Sequence, residues 1–241
     1  MKVNDLSITY RTTFERKPTL KQALIRFGRG QRAVREVHAI KNVSFEVRTG
    51  SSVGIIGSNG AGKSTLMRAM AGILPPTSGS IETWGKASTL LALGVGFNQS
   101  LSGRENIILG GLASGLSRKE VEARADDVAE WTELGDFIDM PMRTYSSGMG
   151  ARLRFAIASA KSHEVLLIDE ALATGDAKFR RRSEDRVREM RDAAGTVFLV
   201  SHSIGTIVDT CERTIWLESG LIRADGPTAE VVAQYEAFSR S

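Results

Sequence analysis

One nine-residue segment constrains the fold of this chain more than any other. It matches the pattern G-x-x-x-x-G-K-[ST] at every fixed position, between an apolar strand predicted at Ser52–Ile56 and a helix predicted at Lys63–Ala71. In that context glycines let backbone N–H groups close around phosphate oxygens, and the helix N-terminus adds its dipole. We therefore predict a nucleotide-binding loop formed by Gly57, Ser58, Asn59, Gly60, Ala61, Gly62, Lys63, Ser64 and Thr65.

Two side chains of this loop have predicted roles of their own. Lys63 is expected to neutralise the charge of the β- and γ-phosphates, which makes it a candidate catalytic residue. The Ser64 hydroxyl is expected to bind Mg²⁺, the ion that accompanies a nucleoside triphosphate.

Apolar strands alternate with helices along the chain. Val165–Ile168 and Thr196–Val200 are uninterrupted apolar runs, typical of a buried parallel sheet, and a charged helix over about Ala177–Ala194 separates them. Further helices are predicted at Gly103–Ala113, Ser117–Leu134, Ser147–Ser162 and Thr228–Ser239. The 241 residues, 41% hydrophobic and 25% charged, are enough for one large α/β domain or two small ones.

The composition excludes some classes of protein and leaves others open. No apolar run reaches the ~18 residues needed to span a bilayer. Cys211 is the only cysteine, so no disulfide forms within the chain, which fits a reducing cytoplasm. A formal charge of +4 is compatible with nucleic acid, an anionic membrane surface or an anionic nucleotide, and does not choose among them.

Three polar residues follow directly after the apolar strands. Asp169 and Glu170 come after Val165–Ile168, and His202 comes after the next strand. Ligands of open α/β sheets lie at the carboxyl ends of the strands. Asp169 is therefore expected to hold Mg²⁺, directly or through water, and Glu170 to polarise the water that attacks the γ-phosphate. His202 is expected to meet the γ-phosphate as a third polar group.

The segment that separates this chain from other nucleotide-binding proteins is Tyr145-Ser146-Ser147-Gly148-Met149, about twenty residues before the acid pair and at the start of a helix. It resembles the signature of ABC-transporter ATPases, usually written L-S-G-G-Q, with Ser147 in place of the first Gly and Met149 in place of Gln. Ser146, the Gly148 backbone and the helix N-terminus can still bind phosphate.

The resemblance covers nearly the whole chain and implies a single ABC ATPase domain over residues 1–241. The implied fold is a P-loop α/β domain with a mainly parallel core sheet, an antiparallel β subdomain and a helical signature subdomain at about 102–162. Two copies would pack head to tail, so that ATP bound at Lys63 of one is closed over by Ser146, Ser147, Gly148 and Met149 of the other. Asp176 stands where the family places a loop that crosses to the second site.

Two stretches are similar to the ATPases of polysaccharide exporters, which move O-antigen, teichoic acid or cell-wall glycans as lipid-linked chains. One is Tyr145–Met149, and the other is Leu93–Asn106, with its L-x-G-R-E-N wording. This similarity implies an integral-membrane subunit as partner, a lipid-linked glycan near the membrane, and a place on the cytoplasmic face of the cell membrane. Gln99 is a weak candidate for the glutamine that senses Mg²⁺ in the family, since it stands closer to Leu101 than usual.

The segment Arg11–Glu36 is longer than its counterpart in ordinary family members. Leu20, Leu24 and Phe27 form an apolar stripe in a strongly basic sequence, so an amphipathic insertion is predicted at about residues 11–37. It suits a membrane surface or a pyrophosphate-linked head group, and equally a solvated helix packed on the domain. Tyr10 and His38, on either side of it, are candidates to stack on adenine. Since the chain stops at Ser241, no C-terminal glycan-binding domain is expected.

Other functions stay open at this point. An ABC exporter of another hydrophobic substrate carries the same motifs. A nucleic-acid-associated ABC protein is favoured only by the basic segment, and lacks support from long coiled coils or a second ATPase domain, so no nucleic acid is expected as partner. A P-loop kinase would need an acceptor site and would not need the Tyr145–Met149 segment.

Overall fold

A computed structural model describes residues 1–13, 34–84, 87–89, 97–160, 164–169, 177–201 and 203–240 of the chain. The strands are β1 (Lys2–Thr13), β2 (Val34–Glu46), β3 (Ser52–Ile56), β4 (Ser78–Glu82), β5 (Ala87–Thr89), β6 (Val165–Asp169), β7 (Thr196–Val200), β8 (Arg213–Glu218) and β9 (Leu221–Pro227). The α-helices are α1 (Lys63–Met70), α2 (Gly103–Ala113), α3 (Arg118–Glu122), α4 (Ala125–Trp131), α5 (Ser147–Ser159), α6 (Ala177–Ala193), α7 (Ile204–Thr210) and α8 (Thr228–Ser239).

The strands form two sheets. The larger has the order β5-β6-β7-β3-β8-β9, and its strands run parallel except for the antiparallel pair β8–β9. The smaller sheet is antiparallel, in the order β2-β1-β4. A mainly parallel core, an antiparallel β subdomain and a separate group of helices confirm the predicted fold class. β3 lies inside the core sheet, so the loop that follows it leaves from the middle of the carboxyl edge.

Apolar side chains divide into three buried clusters. One fills the space between the two sheets and α1, and includes Leu6, Ile55, Met67 and Phe198. A second covers the opposite face of the core sheet with side chains from β6, β7, β8, α7 and α8. A third holds α2, α4 and α5 together as the helical subdomain. Burial of each large apolar side chain contributes about 1.5–3 kcal/mol, so all three clusters stabilise the fold.

Two predicted boundaries are wrong. The amphipathic insertion is predicted at about residues 11–37, yet β1 runs on to Thr13 and β2 begins at Val34. Backbone pairing of Arg11 with Glu36 and their 3.0 Å ion pair extend the antiparallel ladder, because pairing between strands outweighs local composition. The predicted amphipathic stripe of Leu20, Leu24 and Phe27 lies outside the described residues.

The helix predicted at Ser117–Leu134 is also interrupted. It forms two short helices, α3 and α4, joined at Ala123 and Arg124. The Arg124 guanidinium donates to the carbonyl of Ala160 at 2.9 Å, which ties the junction of the two helices to the end of α5. The predicted start is confirmed, because Ser117 and Glu120 form a complete capping box.

No helix in the described part of the chain combines the length and apolar character that crossing a bilayer requires.

Candidate functional site

The loop between β3 and α1 has backbone conformations that glycine adopts without strain. Gly57, Gly60 and Gly62 have φ values of 147°, 85° and 108°, where side-chain-bearing residues are strained. A Cβ on Gly57 would overlap the carbonyl oxygen of Leu217, and one on Gly62 would press against the carbonyl oxygen of Ala39. The loop is therefore packed between β8 and β2, and its shape depends on both strands.

Lys63, the first residue of α1, turns its side chain back into the loop. Its ammonium group donates to the carbonyl oxygens of Gly57 at 2.7 Å and Ser58 at 2.9 Å, and the residue is 8% exposed. A buried ammonium requires such partners, because an uncompensated charge away from water is costly. The positive charge is thus held at the centre of the loop, where phosphate oxygens would lie.

A cavity of about 430 Å³ lies over this loop. Its lining comes from the loop and α1, from the start of β2, from the end of β7 and from the β8–β9 turn. The lining residues are Val37, His38, Ala39, Lys41, Asn59, Gly60, Gly62, Lys63, Ser64, Thr65, Val200 and Ser219. The cavity volume is in the range of small-molecule sites.

Glu218 is a partner of the loop that sequence patterns did not predict. The Ser58 hydroxyl donates to one carboxylate oxygen of Glu218 at 2.6 Å, and the Ser58 N–H approaches the other at 3.5 Å. The hydrogen bond from the Ser58 side chain lowers the pKa of Glu218. Ser58 and Glu218 are 160 residues apart, so no local motif could reveal the contact.

Two expected Mg²⁺ ligands, Asp169 and Ser64, lie at the end of β6 and in the first turn of α1. Asp169 pairs with Val200 across β6 and β7, and Val200 lines the cavity next to the loop. The Ser64 hydroxyl, on an exposed residue in the first turn of α1, is a hard oxygen donor of the kind that Mg²⁺ prefers. Ser64 fits a Mg²⁺ ligand by chemistry and place, and Asp169 by its place at the strand end. The Asp169 side chain and Glu170, Asp176 and His202 lie outside what the structure describes.

The predicted signature segment begins α5 in the helical subdomain. Ser146 is the N-cap, and its hydroxyl accepts a hydrogen bond from the Met149 N–H at 3.2 Å. Ser146 and Ser147 are exposed, and a Cβ on Gly148 would meet only the Ser146 hydroxyl, at 3.9 Å. Met149 packs against the helical cluster. The described residues that line the phosphate-loop cavity include none from 146–149.

Both candidates for adenine stacking lie beside the loop. His38 lines the cavity, and its Nδ1 is 3.0 Å from the Thr9 hydroxyl. The Tyr10 hydroxyl is 3.4 Å from the hydroxyl of Thr65, and Tyr10 is 39% exposed. Val37 also lines the cavity and is 45% exposed. The sequence did not predict this position, because it depends on β2 beginning as early as Val34.

Gln99 lies in the turn before α2, where its carbonyl accepts a hydrogen bond from the Arg143 N–H at 2.9 Å. The described lining of the cavity does not include Gln99. The buried Asn106 shapes this turn: its amide accepts from the Asn98 N–H and donates to the carbonyls of Asn98, Leu101 and Ser102, at 2.8–3.3 Å. The last residue of the L-x-G-R-E-N stretch therefore has a structural role, because its side chain holds this turn together.

Sequence comparison decides the family. The sequence profile described as "ABC transporter" matches residues 40–173, more than half of the chain. The chain belongs to the ABC transporter family. This ABC protein is 43% identical to the O-antigen export system ATP-binding protein RfbB of Myxococcus xanthus, over 92% of the chain and 52% of that protein. It is 42% identical to the teichoic acids export ATP-binding protein TagH of Lactococcus lactis, over 92% of the chain and 47% of that protein.

The ABC chain spans about half the length of these two relatives. A Klebsiella pneumoniae protein named RfbB, also of an O-antigen export system, is 42% identical over 84% of the chain and 82% of its own length. Solved structures agree on the fold. An ATP-binding subunit of an ABC transporter superposes with a TM-score of 0.70 at 23% identity, covering 98% of this chain and 92% of that one. A dimeric ATP-binding cassette in a post-hydrolysis state superposes with a TM-score of 0.66 at 22% identity, covering 94% and 98%.

Proposed function

We propose that this ABC protein binds and hydrolyses ATP as the motor subunit of an exporter of lipid-linked polysaccharide. It would act on the cytoplasmic face of the membrane, as a head-to-tail pair joined to an integral-membrane subunit. The observation that carries the ATPase proposal is the glycine loop around the buried Lys63 ammonium at the carboxyl edge of a parallel sheet. The export proposal is supported by relatives named for O-antigen and teichoic acid export.

The residues of the proposed ATP site have distinct roles. Lys63 exchanges its two loop carbonyls for phosphate oxygens, and the loop N–H groups bind the remaining phosphate charge. Tyr10 or His38 stacks on the adenine. Ser64 and Asp169 would hold Mg²⁺, which would supply positive charge to the β- and γ-phosphates. Glu170 would polarise the attacking water, and His202 would contact the γ-phosphate.

The absence of the α5 start from the described cavity lining supports a site shared by two copies. Ser146, Ser147 and Gly148 present hydroxyls and backbone N–H groups at an exposed helix start, outside the cavity of their own chain. In a head-to-tail pair they would contact the phosphates held by the other copy. Asp176 would cross to the same site. One copy alone would then bind ATP and hydrolyse it slowly.

The test is ATPase activity against protein concentration, for the wild type and Glu170→Gln, with size-exclusion runs in Mg²⁺ and ATP. We expect specific activity to rise with concentration, and the variant to be inactive yet elute as an ATP-dependent dimer. Activity that is independent of concentration, together with an active monomeric variant, would contradict the shared site and favour the kinase-like alternative. If the isolated wild type is inactive, the same assay is made on its complex with the membrane subunit.

Export of another hydrophobic substrate is the second candidate, because the ATP site is the same for both. In the host, deletion of the gene is expected to leave lipid-linked glycan on the inner leaflet, with rescue by the wild type and not by Glu170→Gln. Normal glycan export in the deletion strain would favour the second candidate.

A further inference from the structure

Three helices meet at one cluster of aromatic and charged side chains, remote from the phosphate loop in sequence. We call it the three-helix junction. Its members come from the end of α4 and the turn after it, from the middle of α5 and from the start of α6. They are Trp131, Glu133, Arg152, Phe155, Phe179 and Arg182.

The aromatic half of the junction takes one ring from each helix. Trp131 of α4 stacks on Phe155 of α5 with ring centroids 5.2 Å apart, and Phe179 of α6 meets both rings edge-on at 5.3 and 6.1 Å. Phe155 and Phe179 are 3% and 2% exposed. Rings in these arrangements attract beyond their burial, so the three helices are fixed against one another.

The charged half covers the rings. The Arg152 guanidinium lies 5.0 Å from the Phe179 ring centre, and that of Arg182 lies 4.8 Å from Trp131. Both arginines face Glu133, Arg182 at 2.9 Å and Arg152 at 3.8 Å, and Lys178 of α6 donates to the same carboxylate at 3.2 Å. The hydrogen bond from Lys178 and the nearby positive charges lower the pKa of Glu133.

Glu133 has an uncommon backbone conformation. Its φ is +54°, a conformation uncommon for residues with a side chain, directly after the last turn of α4. One carboxylate thus compensates a positive charge on α5 and two on α6. Without it, Arg152 on α5 and the two cations of α6 would lose the carboxylate that they share, and like charges at such distances repel. Glu133 therefore helps to hold α5 and α6 together, because charges on both helices are attracted to one carboxylate.

The two helices joined here are those whose first residues are proposed to reach the second copy. α5 starts at the cap Ser146, and α6 starts at Ala177, directly after Asp176. We propose that Glu133 and Arg182 are positioning residues for ATP hydrolysis, which set the spacing between the two segments that one copy presents to the ATP site of the other. This inference rests on the proposed function. Loss of the Glu133 contact should affect ATP turnover and the pairing of two copies, and should leave nucleotide binding at Lys63 unchanged.

The experiment compares Glu133→Gln with Glu122→Gln in the full chain. Glu122 is the matched control, because its ion pair with Arg118 joins exposed side chains within one helix turn of α3. For Glu133→Gln we expect kcat for ATP to fall about tenfold, since contacting groups in one network typically couple by that order. The KM for ATP, and binding of a fluorescent ATP analogue to dilute protein, should stay within about twofold of wild type. Glu122→Gln should match wild type in all three measurements.

A charge exchange tests whether the interaction itself matters. Glu133→Arg alone places another positive charge in the cluster and should lower kcat further than Glu133→Gln. Combining it with Arg182→Glu restores an opposite pair across the same 2.9 Å contact and should recover part of the lost kcat. If Glu133→Gln is too unstable to purify, Arg182→Lys replaces it. That change keeps the charge and loses the flat guanidinium over Trp131, and should lower kcat about threefold.

The outcomes separate this inference from the proposed function. A wild type that hydrolyses ATP, with a Glu133→Gln or Arg182→Lys variant of equal kcat, would overturn the positioning role alone. Equal loss of nucleotide binding and kcat would overturn it too, because a general loss of structure explains that result. A wild type without ATPase activity, alone and with its membrane partner, would contradict the proposed function and the positioning role with it.

Discussion

Gly57 and Gly60 lie in the same loop, and both have positive φ, but their surroundings differ. A Cβ on Gly57 would overlap the carbonyl of Leu217, whereas one on Gly60 would meet no atom within 4 Å. We expect Gly57→Ala to lower the free energy of unfolding by at least ~3 kcal/mol, and Gly60→Ala by only ~1 kcal/mol of backbone strain. Thermal unfolding of both variants checks this, and equal losses would show that the contact with β8 is not what shapes the loop.

The hydrogen bond from Ser58 to Glu218 makes a pH-dependent contribution to stability. The pKa of Glu218 is lower in the folded protein than its ordinary value of 4.5, so the ionised carboxylate favours folding. That contribution is complete above about pH 4.5 and is lost as the pH falls through the folded-state pKa.

Ser58→Ala removes the hydroxyl that lowers this pKa. Without nucleotide, we expect the variant to be less stable than wild type by on the order of 1 kcal/mol at pH 7, with the difference shrinking below about pH 4.5. Urea unfolding across pH 3–7 measures it. A difference that stays constant over that range would mean that the Glu218 charge has no part in the contact.

At this scale, the sequence predicted those site residues that belong to a continuous motif. Lys63 and Ser64 line the cavity together, as the loop pattern requires. Glu218 and Ser219 come from a distant turn and Val37 from an extended strand, so their approach depends on tertiary pairing. Strand order, which brings β8 beside β3, carries no signal in a single sequence.

Among the elements, the turn before α2 depends on one buried side chain. The amide of Asn106, 0% exposed, bonds the backbone of Asn98, Leu101 and Ser102. Replacement by leucine keeps the volume but removes the acceptor of the Asn98 N–H, while the three carbonyls keep their backbone donors. We expect Asn106→Leu to lower the free energy of unfolding by about 1–3 kcal/mol.

Asn4→Ala is the matched control, because the Asn4 amide makes only two long bonds of 3.4 Å near the surface. Its expected loss is under about 0.5 kcal/mol. Chemical denaturation of both variants measures the two losses. Similar values for them would mean that the turn is held by other contacts.

Some strands and helices were predicted correctly from the sequence, and others were not. Apolar runs such as Ser52–Ile56 and Thr196–Val200 became β3 and β7 with the predicted bounds, because burial on both faces leaves an uninterrupted pattern. The extension of β1 and β2 was missed, since its polar residues gain their strand structure by pairing with each other. The break at Ala123 and Arg124 was missed because both residues are good helix formers.

For the whole molecule, a ligand that binds only the folded chain must stabilise it. At an ATP concentration of about 100 times Kd, the stabilisation is about 2.7 kcal/mol. For a domain of this size that corresponds to roughly 5–10 °C in Tm. We expect ATP to produce this shift in the wild type and not in Lys63→Ala, measured by differential scanning fluorimetry at saturating ATP. A shift of the same size in the variant would place the nucleotide elsewhere.

The packing of Gly57 and Ser58 against β8 also bears on how the protein is made. A ribosome produces the loop first and its partner Glu218 160 residues later, a delay of roughly 10–30 s at ~5–20 residues per second. During that interval the glycine loop lacks the wall that gives it shape. We therefore expect a nascent chain to bind ATP tightly only after β8 has emerged and joined the sheet.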